Sequence, residues 1–398
     1  MSNLIWVGSR LSDIEGSERI FSGAITLLNS TRVNVPTLSF QDQYGYRPNQ
    51  NVLNEIKTIH KFFGEAISKL SSEEPSAIFM SYGRDYSIPD SPFPYINSLR
   101  LDNLCQDKFR SRSLVSNFAS VAPMALLFRA DCTTDKISNL FPNRSKFVVQ
   151  SIVGSGGEGT IIVDSDDINS RMPLIPGDEL IVSPFIEGIP INVHAVIGER
   201  DTALFQPSIQ IIELDNRGKP LYRGGDFGAS LDIEPSLAET ISETSKRIAH
   251  RLRVAGYRGI FGIDFIISDM ALIFIEINPR FQASSFILNT HLRDHGLPTL
   301  HELQRRAFLG EEFHLGTVPP TKDSFVMIFD GGALSFPMID RSLDASIDHF
   351  GAESCPSSLG AQTGRVRLTG PLINIVGRKA VYTSLGRQLL QDTSIFIV

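Results

Sequence analysis

Apolar positions recur with two different periods along this 398-residue chain, and each change of period marks a new element. Residues 3–7 (NLIWV) and 76–82 (SAIFMSY) are short apolar runs that predict strands, the first ending at Gly8. Between them, Val52 to Leu70 carries the spacing of an amphipathic helix. Residues 107–120 (DKFRSRSLVSNFAS) read as a further helix, followed by strands at FVVQSIV, TIIV and DELIVSPFI, with a glycine-rich loop between the first two. Helical spacing returns over 236–255, where Leu237, Ile241, Ile248, Leu252 and Ala255 share one face. Gly256 supplies the left-handed stop, and Lys246, Arg247, Arg251 and Arg253 crowd the C-terminal half, where cations oppose the helix dipole. The segments SIPDSPFPYINS (87–98) and GTVPPTKDS (316–324) interrupt both periods and read as linkers. Beyond the second, the chain is strand-rich with glycine turns. The pattern predicts an α/β (α+β) protein whose small N-terminal α/β domain ends near residue 100, with no internal repeat.

The strongest signal is the pair GIFGIDFII and LIFIEIN, 259–267 and 272–278, which reads as an antiparallel hairpin. Alternation puts Ile263, Phe265 and Ile267 on one face with Ile273, Ile275 and Ile277, a wholly apolar face that must be buried. Asp264, Glu276 and Asn278 then fall together on the opposite face, provided a three-residue turn, Asp269 to Ala271, sets Asp264 opposite Glu276. Facing carboxylates repel and are costly to desolvate, so a cation is expected between them. Magnesium, which takes one or two protein carboxylates and completes its shell with phosphates and water, fits Asp, Glu and an amide oxygen. Calcium, or a solvated acidic face, accounts for these residues equally well. Arg280 follows at the end of the second strand, where its planar fork suits a phosphoryl group or a carboxylate, or else a helix cap or salt bridge.

Composition narrows the classes. With 42% hydrophobic and 20% charged residues the chain is an ordinary folded protein, long enough for more than one core. A net charge of -7 and a pI near 5.7 argue against a general nucleic-acid or anionic-membrane binder, so any anion must be held locally. The N-terminus MSNLIWVGSRLSD lacks the basic region and long apolar run of a signal peptide. The apolar stretch 259–277 is broken by Asp264, Asp269 and Glu276 and makes a poor membrane span, which leaves the cytoplasm as the expected compartment. Cys105, Cys132 and Cys355 are isolated, as in a reduced compartment, and form neither a disulfide nor a zinc framework.

Gly154, Gly156, Gly157 and Gly159 stand between two strands in FVVQSIVGSGGEGTIIV, where backbone N–H groups can converge on an anion; an ordinary hairpin tip has the same composition. Lys108 can reach a phosphate, although a single helical lysine is more often solvated. His291 and His295 have the i, i+4 spacing of a zinc pair but no third ligand, and read as packing or surface residues. Arg365 and Arg367 share a strand face and suit either a substrate carboxylate or, more commonly, exposed charge.

The order DK, glycine loop between strands, IVSPFIEG, GYRGIFGIDFI, IFIEINPRFQ resembles the ATP-grasp superfamily of carboxylate-amine ligases over roughly residues 104–318. The flanking regions look most like the natural-product peptide and amino-acid ligases with a pre-ATP-grasp domain, as in pheganomycin-type peptide ligases and the butirosin glutamate:carrier-protein ligase. The resemblance implies a pre-ATP-grasp domain at 1–103, an N-terminal lobe at 104–183, a C-terminal lobe at 184–318 and a strand-rich domain at 319–398. It implies ATP and Mg2+, with Mn2+ as an alternative, and makes Asp264, Glu276 and Asn278 the metal ligands. Lys108 would contact phosphates under the loop Gly154 to Gly159. Adenine would meet the Ile186 N–H and the Pro184 carbonyl. Arg280 would stabilise acyl-phosphate chemistry, with Arg223 of a second loop reaching the γ-phosphate. Two departures stand out: many members have a lysine where this chain has Gln150, and the usual ribose acid falls at Pro190, leaving Glu187 as the nearest substitute. The expected activity is ATP-dependent joining of a carboxylate to an amine or a carrier-protein thiol, in peptide or antibiotic biosynthesis. Its partners would be small carboxylates, amines or peptides, with an acyl carrier protein and a homodimer both compatible. A small-molecule kinase and a silent nucleotide-binding regulator are the competing readings.

Overall fold

The computed structural model describes residues 3–50, 52–84, 93–154, 156–172, 175–269, 271–330, 345–350, 355–358, 361–376 and 379–390. Part of the first predicted linker (85–92), Ser155 of the glycine loop and Met270 of the hairpin turn lie outside the described residues.

The N-terminal unit is a parallel sheet of β1 (Leu4–Arg10), β2 (Gly23–Leu28), β3 (Thr37–Ser39) and β4 (Ile78–Ser81) in the order β3-β2-β1-β4, with helices α1 (Phe40–Tyr44) and α2 (Leu53–Glu73). Every residue of β1 is buried, as parallel strands covered on both faces require. β1 runs past Gly8 because its polar end is satisfied: Ser9 donates to Gln50 at 3.2 Å and Arg10 reaches Asp13 at 2.9 Å and Gln362 at 3.1 Å.

Helices α3 (Leu99–Gln106) and α4 (Lys108–Val115) lead into an antiparallel sheet built from β5 (Ala125–Phe128), β6 (Lys146–Ser151), β7 (Thr160–Asp164) and β8 (Glu179–Pro184), in the order β5-β8-β6-β7. α5 (Thr134–Leu140) and α6 (Ile168–Arg171) accompany it, and Phe147, Val149, Ile161, Val163, Leu180 and Val182 form its separate core.

Residues 185–188 connect β8 to the large sheet. Its strands are β9 (Ile189–Ile197), β10 (Thr202–Leu204), β11 (Ser208–Leu214), β12 (Pro220–Asp226), β13 (Gly259–Ile267), β14 (Leu272–Asn278), β15 (Asp323–Phe329), β16 (Ala345–His349) and β17 (Gln362–Thr369). The order is β14-β13-β9-β11-β12-β15-β17-β16, with β10 on β9. Helix α7 (Pro235–Val254) buries Ile241, Ile248 and Leu252 against it and stops at Gly256, φ +95°; α8 (Ser285–Asp294) and α9 (Leu300–Leu309) follow β14. β15, β16 and β17 of the predicted C-terminal region thus continue the sheet of the 184–318 lobe, while β18 and β19 pair with each other. Glycine permits the join, since a Cβ at Gly224 of β12 would lie 2.1 Å from the Phe325 carbonyl oxygen of β15. The hairpin β18 (Ile373–Val376) and β19 (Lys379–Tyr382) precedes α10 (Ser384–Leu390). It is tied down by Asp226, whose carboxylate accepts from Leu372 N–H at 2.6 Å and Ile373 N–H at 2.9 Å.

Arg365, expected as exposed strand charge, is 2% exposed. It lies within 4.0 Å of Asp13, Glu15 and Asp348 and 3.2 Å from the Phe286 ring centre, so it joins the N-terminal unit, the C-terminal strands and α8. Arg367 pairs with Asp323. The rings of His291 and His295 are 4.3 Å apart, and His291 bonds the Pro319 carbonyl, a packing role.

His301 contributes a second junction. Its ring stacks on Phe281 at 4.4 Å and bonds Ser17 of the N-terminal unit at 3.0 Å. Burial pushes His301 and His194 down from the usual 6.5 to about 3. Both are neutral in the fold and protonate in the unfolded chain, so their contribution is complete above pH 6.5 and is lost as pH falls below it. Urea midpoints measured from pH 7 to pH 4 are expected to fall. His301→Gln should flatten that slope by about 1 kcal/mol per pH unit; an unchanged slope would remove His301 from the account.

Candidate active site

The acidic hairpin forms with Asp264 directly opposite Glu276 and Gly262 opposite Asn278. The register arises differently from the expected three-residue turn. Ile267 pairs with Leu272, which leaves a four-residue connection, and a bulge at Ile275 then shifts the ladder by one residue. The bulge also changes which residues are buried. Phe274 packs edge-on to Phe265 with ring centres 6.1 Å apart and joins Ile277 in the core, whereas Ile273 and Ile275 are only half-buried.

Asp264 sits within a set of side-chain amides. Asn192 donates to its Oδ1 at 2.5 Å, Gln210 to the same oxygen at 3.3 Å, and Asn278 to Oδ2 at 2.9 Å; Gln282 accepts from Asn192. Burial first, and then Glu276 across the ladder, raise the Asp264 pKa well above the carboxylate range despite these donors. The Asn278 amide oxygen accepts from Arg280 at 3.1 Å, and Arg280 also reaches Tyr82 Oη at 3.4 Å and the Phe281 carbonyl at 3.3 Å. Phe281 N–H donates to the Tyr82 carbonyl, which sets Arg280 against the end of β4. A hydrogen-bonded line therefore runs from Tyr82 through Arg280 and Asn278 to Asp264.

Lys108 and Arg112 approach from α4. Lys108 follows the Asp107 N-cap and is 4% exposed, buried where a solvated lysine was the commoner expectation. Its Nζ lies 3.4 Å from Glu276 and donates to the Gly154 carbonyl at 2.6 Å. One turn later, Arg112 donates from Nε to the carbonyl of the bulged Ile275 and from Nη2 to Gln150, each at 2.8 Å. Sequence reasoning missed Arg112, whose signal was its i+4 spacing from Lys108 on a face that turns inward.

The glycine loop folds toward this cluster. Gly156, Gly157 and Gly159 have positive φ, and a Cβ at Gly157 would meet the Pro220 carbonyl oxygen at 1.8 Å. The tip between β11 and β12 lies against it, with Gly218 accepting from Ile162 N–H at 2.8 Å and Lys219 paired to Glu158. Arg223, on β12, is held by Glu213 and sits 4.7 Å from the Phe329 ring centre. Among the described residues it makes no contact with the Asp264 cluster. Pro184 closes β8 beside Phe147, Ile186 is half-buried, Glu187 is exposed, and Pro190 lies buried in β9 opposite Ile266.

No group of three His, Cys, Asp or Glu side chains is placed to hold a metal among the described residues. Two carboxylates with amide support instead suit a hard cation that keeps water and substrate oxygens in its shell. In the present arrangement Asn278 turns its nitrogen to Asp264, so a cation there would require the amide to rotate.

Residues 105–284 match the family model of the ATP-grasp domain. The chain therefore carries an ATP-grasp domain over these residues. A [butirosin acyl-carrier protein]--L-glutamate ligase from Niallia circulans is 28% identical over 152 residues, covering 36% of this chain and 35% of that protein. The match thus spans about a third of the relative's length. Carboxyaminoimidazole ribonucleotide synthase from Aspergillus clavatus, solved with ATP, superposes with a TM-score of 0.58 at 14% identity over 93% of this chain and 95% of that one. The biotin carboxylase domain of the Hydrogenobacter thermophilus 2-oxoglutarate carboxylase, a dimer solved with MgADP and bicarbonate, superposes at 0.60 with 12% identity over 99% and 90%. At such identities the superpositions establish the fold. No helix among the described residues is long and apolar enough to cross a membrane.

Burial and the facing Glu276 disfavour the charged form of Asp264. Asp264→Asn should therefore stabilise the ligand-free protein by about 1–2 kcal/mol, seen as a higher Tm, while abolishing the further rise that Mg2+ with ADP gives the wild type. A lower Tm for the variant would contradict the repulsion.

Proposed function

We propose that the protein is an ATP-dependent ligase that activates a carboxylate as an acyl phosphate and passes the acyl group to an amine or a carrier-protein thiol. The observation that carries this reading is the cluster of Asp264, Glu276 and Asn278 with Lys108 and Arg280 on its two sides, inside the ATP-grasp domain. The butirosin relative, named for an acyl-carrier protein and glutamate, favours a biosynthetic setting and a carrier as one acceptor.

Asp264, Glu276 and Asn278 would hold Mg2+, which when bound neutralises charge on the phosphates. A substrate carboxylate oxygen attacks the γ-phosphorus of ATP, the bond to the β–γ bridging oxygen breaks, and ADP leaves. The nitrogen or sulfur nucleophile then attacks the acyl carbon, phosphate departs and the nucleophile's proton is released. Lys108 binds phosphate oxygens, Arg280 faces the charge that develops on the transferring group, and the loop at Gly154 to Gly159 covers the cleft with backbone N–H groups. Adenine occupies the connection at Pro184 to Glu187, with the Ile186 N–H and Pro184 carbonyl as its partners. Arg223 must release Glu213 if it is to reach the γ-phosphate. Gln150 contributes no charge of its own.

Incubation with MgATP, pooled amino acids and small carboxylates, and hydroxylamine should yield ADP together with a hydroxamate whose mass identifies the carboxylate. Glu276→Ala should lower ADP formation by about 100-fold or more with the fold retained. ADP without hydroxamate would replace this reading with a kinase, and unchanged turnover in Glu276→Ala would remove the metal assignment.

A further inference from the structure

We propose that Arg112 is the second phosphate-binding cation of the nucleotide site, and that Gln150 is the residue that positions it. The inference rests on the ATP-dependent reading above and assigns a role that the motif residues leave open.

Arg112 is 3% exposed, yet its charge is poorly compensated. Its two bonded nitrogens meet neutral acceptors, the Ile275 carbonyl and Gln150 Oε1. Its third nitrogen, Nη1, is buried without a hydrogen-bond acceptor, and no carboxylate lies within salt-bridge distance among the described residues. An arginine serving only to join elements would be expected to saturate its fork, because a desolvated N–H without an acceptor is unfavourable. Burial lowers its pKa to about 10, with Glu276 opposing, so it is charged at neutral pH.

Its location gives that charge a use. Ile275 adjoins Glu276 on the acidic hairpin, while Gln150 pairs with Thr160 across β6 and β7, the strands that flank the glycine loop. A polyphosphate running from a cation at Asp264 and Glu276 to the loop amides passes between these two elements. Lys108 and Arg112, four residues apart, line the α4 side of that path. With Lys108 and Arg280 alone, the two carboxylates are only neutralised; Arg112 makes the site net positive toward a nucleotide that stays anionic when bound to Mg2+. Gln150 suits the positioning role, since Oε1 accepts from Arg112 and Nε2 donates to Thr160 at 3.2 Å. An ammonium at residue 150 would repel Arg112, so the two positions are alternative places for one charge.

Calorimetric titration of the full chain with MgATP, MgADP and adenosine, alongside thermal unfolding, tests this. Arg112→Met should weaken MgATP binding about 30-fold while changing adenosine binding by less than about threefold. The double variant Arg112→Met/Gln150→Lys, which moves the charge from α4 to β6, should recover MgATP binding to within about fivefold of the wild type. It also decides the matter if the single variant fails to fold. Undiminished MgATP binding in Arg112→Met, equal losses for adenosine and MgATP, or no recovery in the double variant would each overturn the assignment. A wild type that binds adenosine but gains nothing from phosphates would overturn it too, and failure of the wild type to bind any of the three would sink the ATP reading itself.

Discussion

The desolvation of Asp264 opposite Glu276 is the constraint on which the rest of the site depends. Two half-buried carboxylates facing across one ladder are unfavourable unless neighbouring groups offset them. The fold answers with amides around Asp264, from Asn192, Gln210 and Asn278, and with a cation, Lys108, on Glu276. Amides stabilise the charge without cancelling it. On the proposed reading, this leaves the pair open to a divalent cation, which a salt bridge to Asp264 would have satisfied internally.

Much of this was legible in the sequence because a hairpin with a period of two leaves few choices. Once GIFGIDF and LIFIEIN must bury an apolar face, their acids fall together, and the ATP-grasp resemblance rests on that segment. The bulge was not legible. A four-residue connection with one extra residue at Ile275 and a three-residue turn without one bring Asp264 and Glu276 into the same register, but only the former buries Phe274 and frees the Ile275 carbonyl for Arg112. Arg112 itself was hidden because DKFRSRS has the composition of a solvated helix, and only tertiary packing shows which face turns inward. Arg365 was misread for a related reason. Alternation within β17 cannot reveal that acids from the β1–β2 connection and β16 converge on it.

The large sheet explains why residues far apart in sequence share this cleft. β9 lies between β13 and β11, so Asn192 and Gln210 on the inner strands reach Asp264 on the next. The N-terminal unit contributes by a different route, through the backbone bond from Phe281 to Tyr82 and the His301 and Arg365 junctions. Arg280, standing between Tyr82 and Asn278, is consequently fixed by both units. Movement of the N-terminal unit would displace the guanidinium from the acidic hairpin, which couples the integrity of that interface to the chemistry proposed for the cleft.

The glycine loop adds a question of order. Lys108 donates to the Gly154 carbonyl, so the loop lies on the cation that a phosphate would use. Exchange of a carbonyl for a phosphate oxygen is favourable, because charge-assisted hydrogen bonds are roughly twice as strong as neutral ones. The loop is also held from outside, by Gly218 on Ile162 and Lys219 on Glu158. A phosphate reaching Lys108 therefore needs to displace only the carbonyl at the loop's start. On the proposed reading, the outer contacts can persist through that exchange, so phosphate entry requires no wholesale separation of the two sheets.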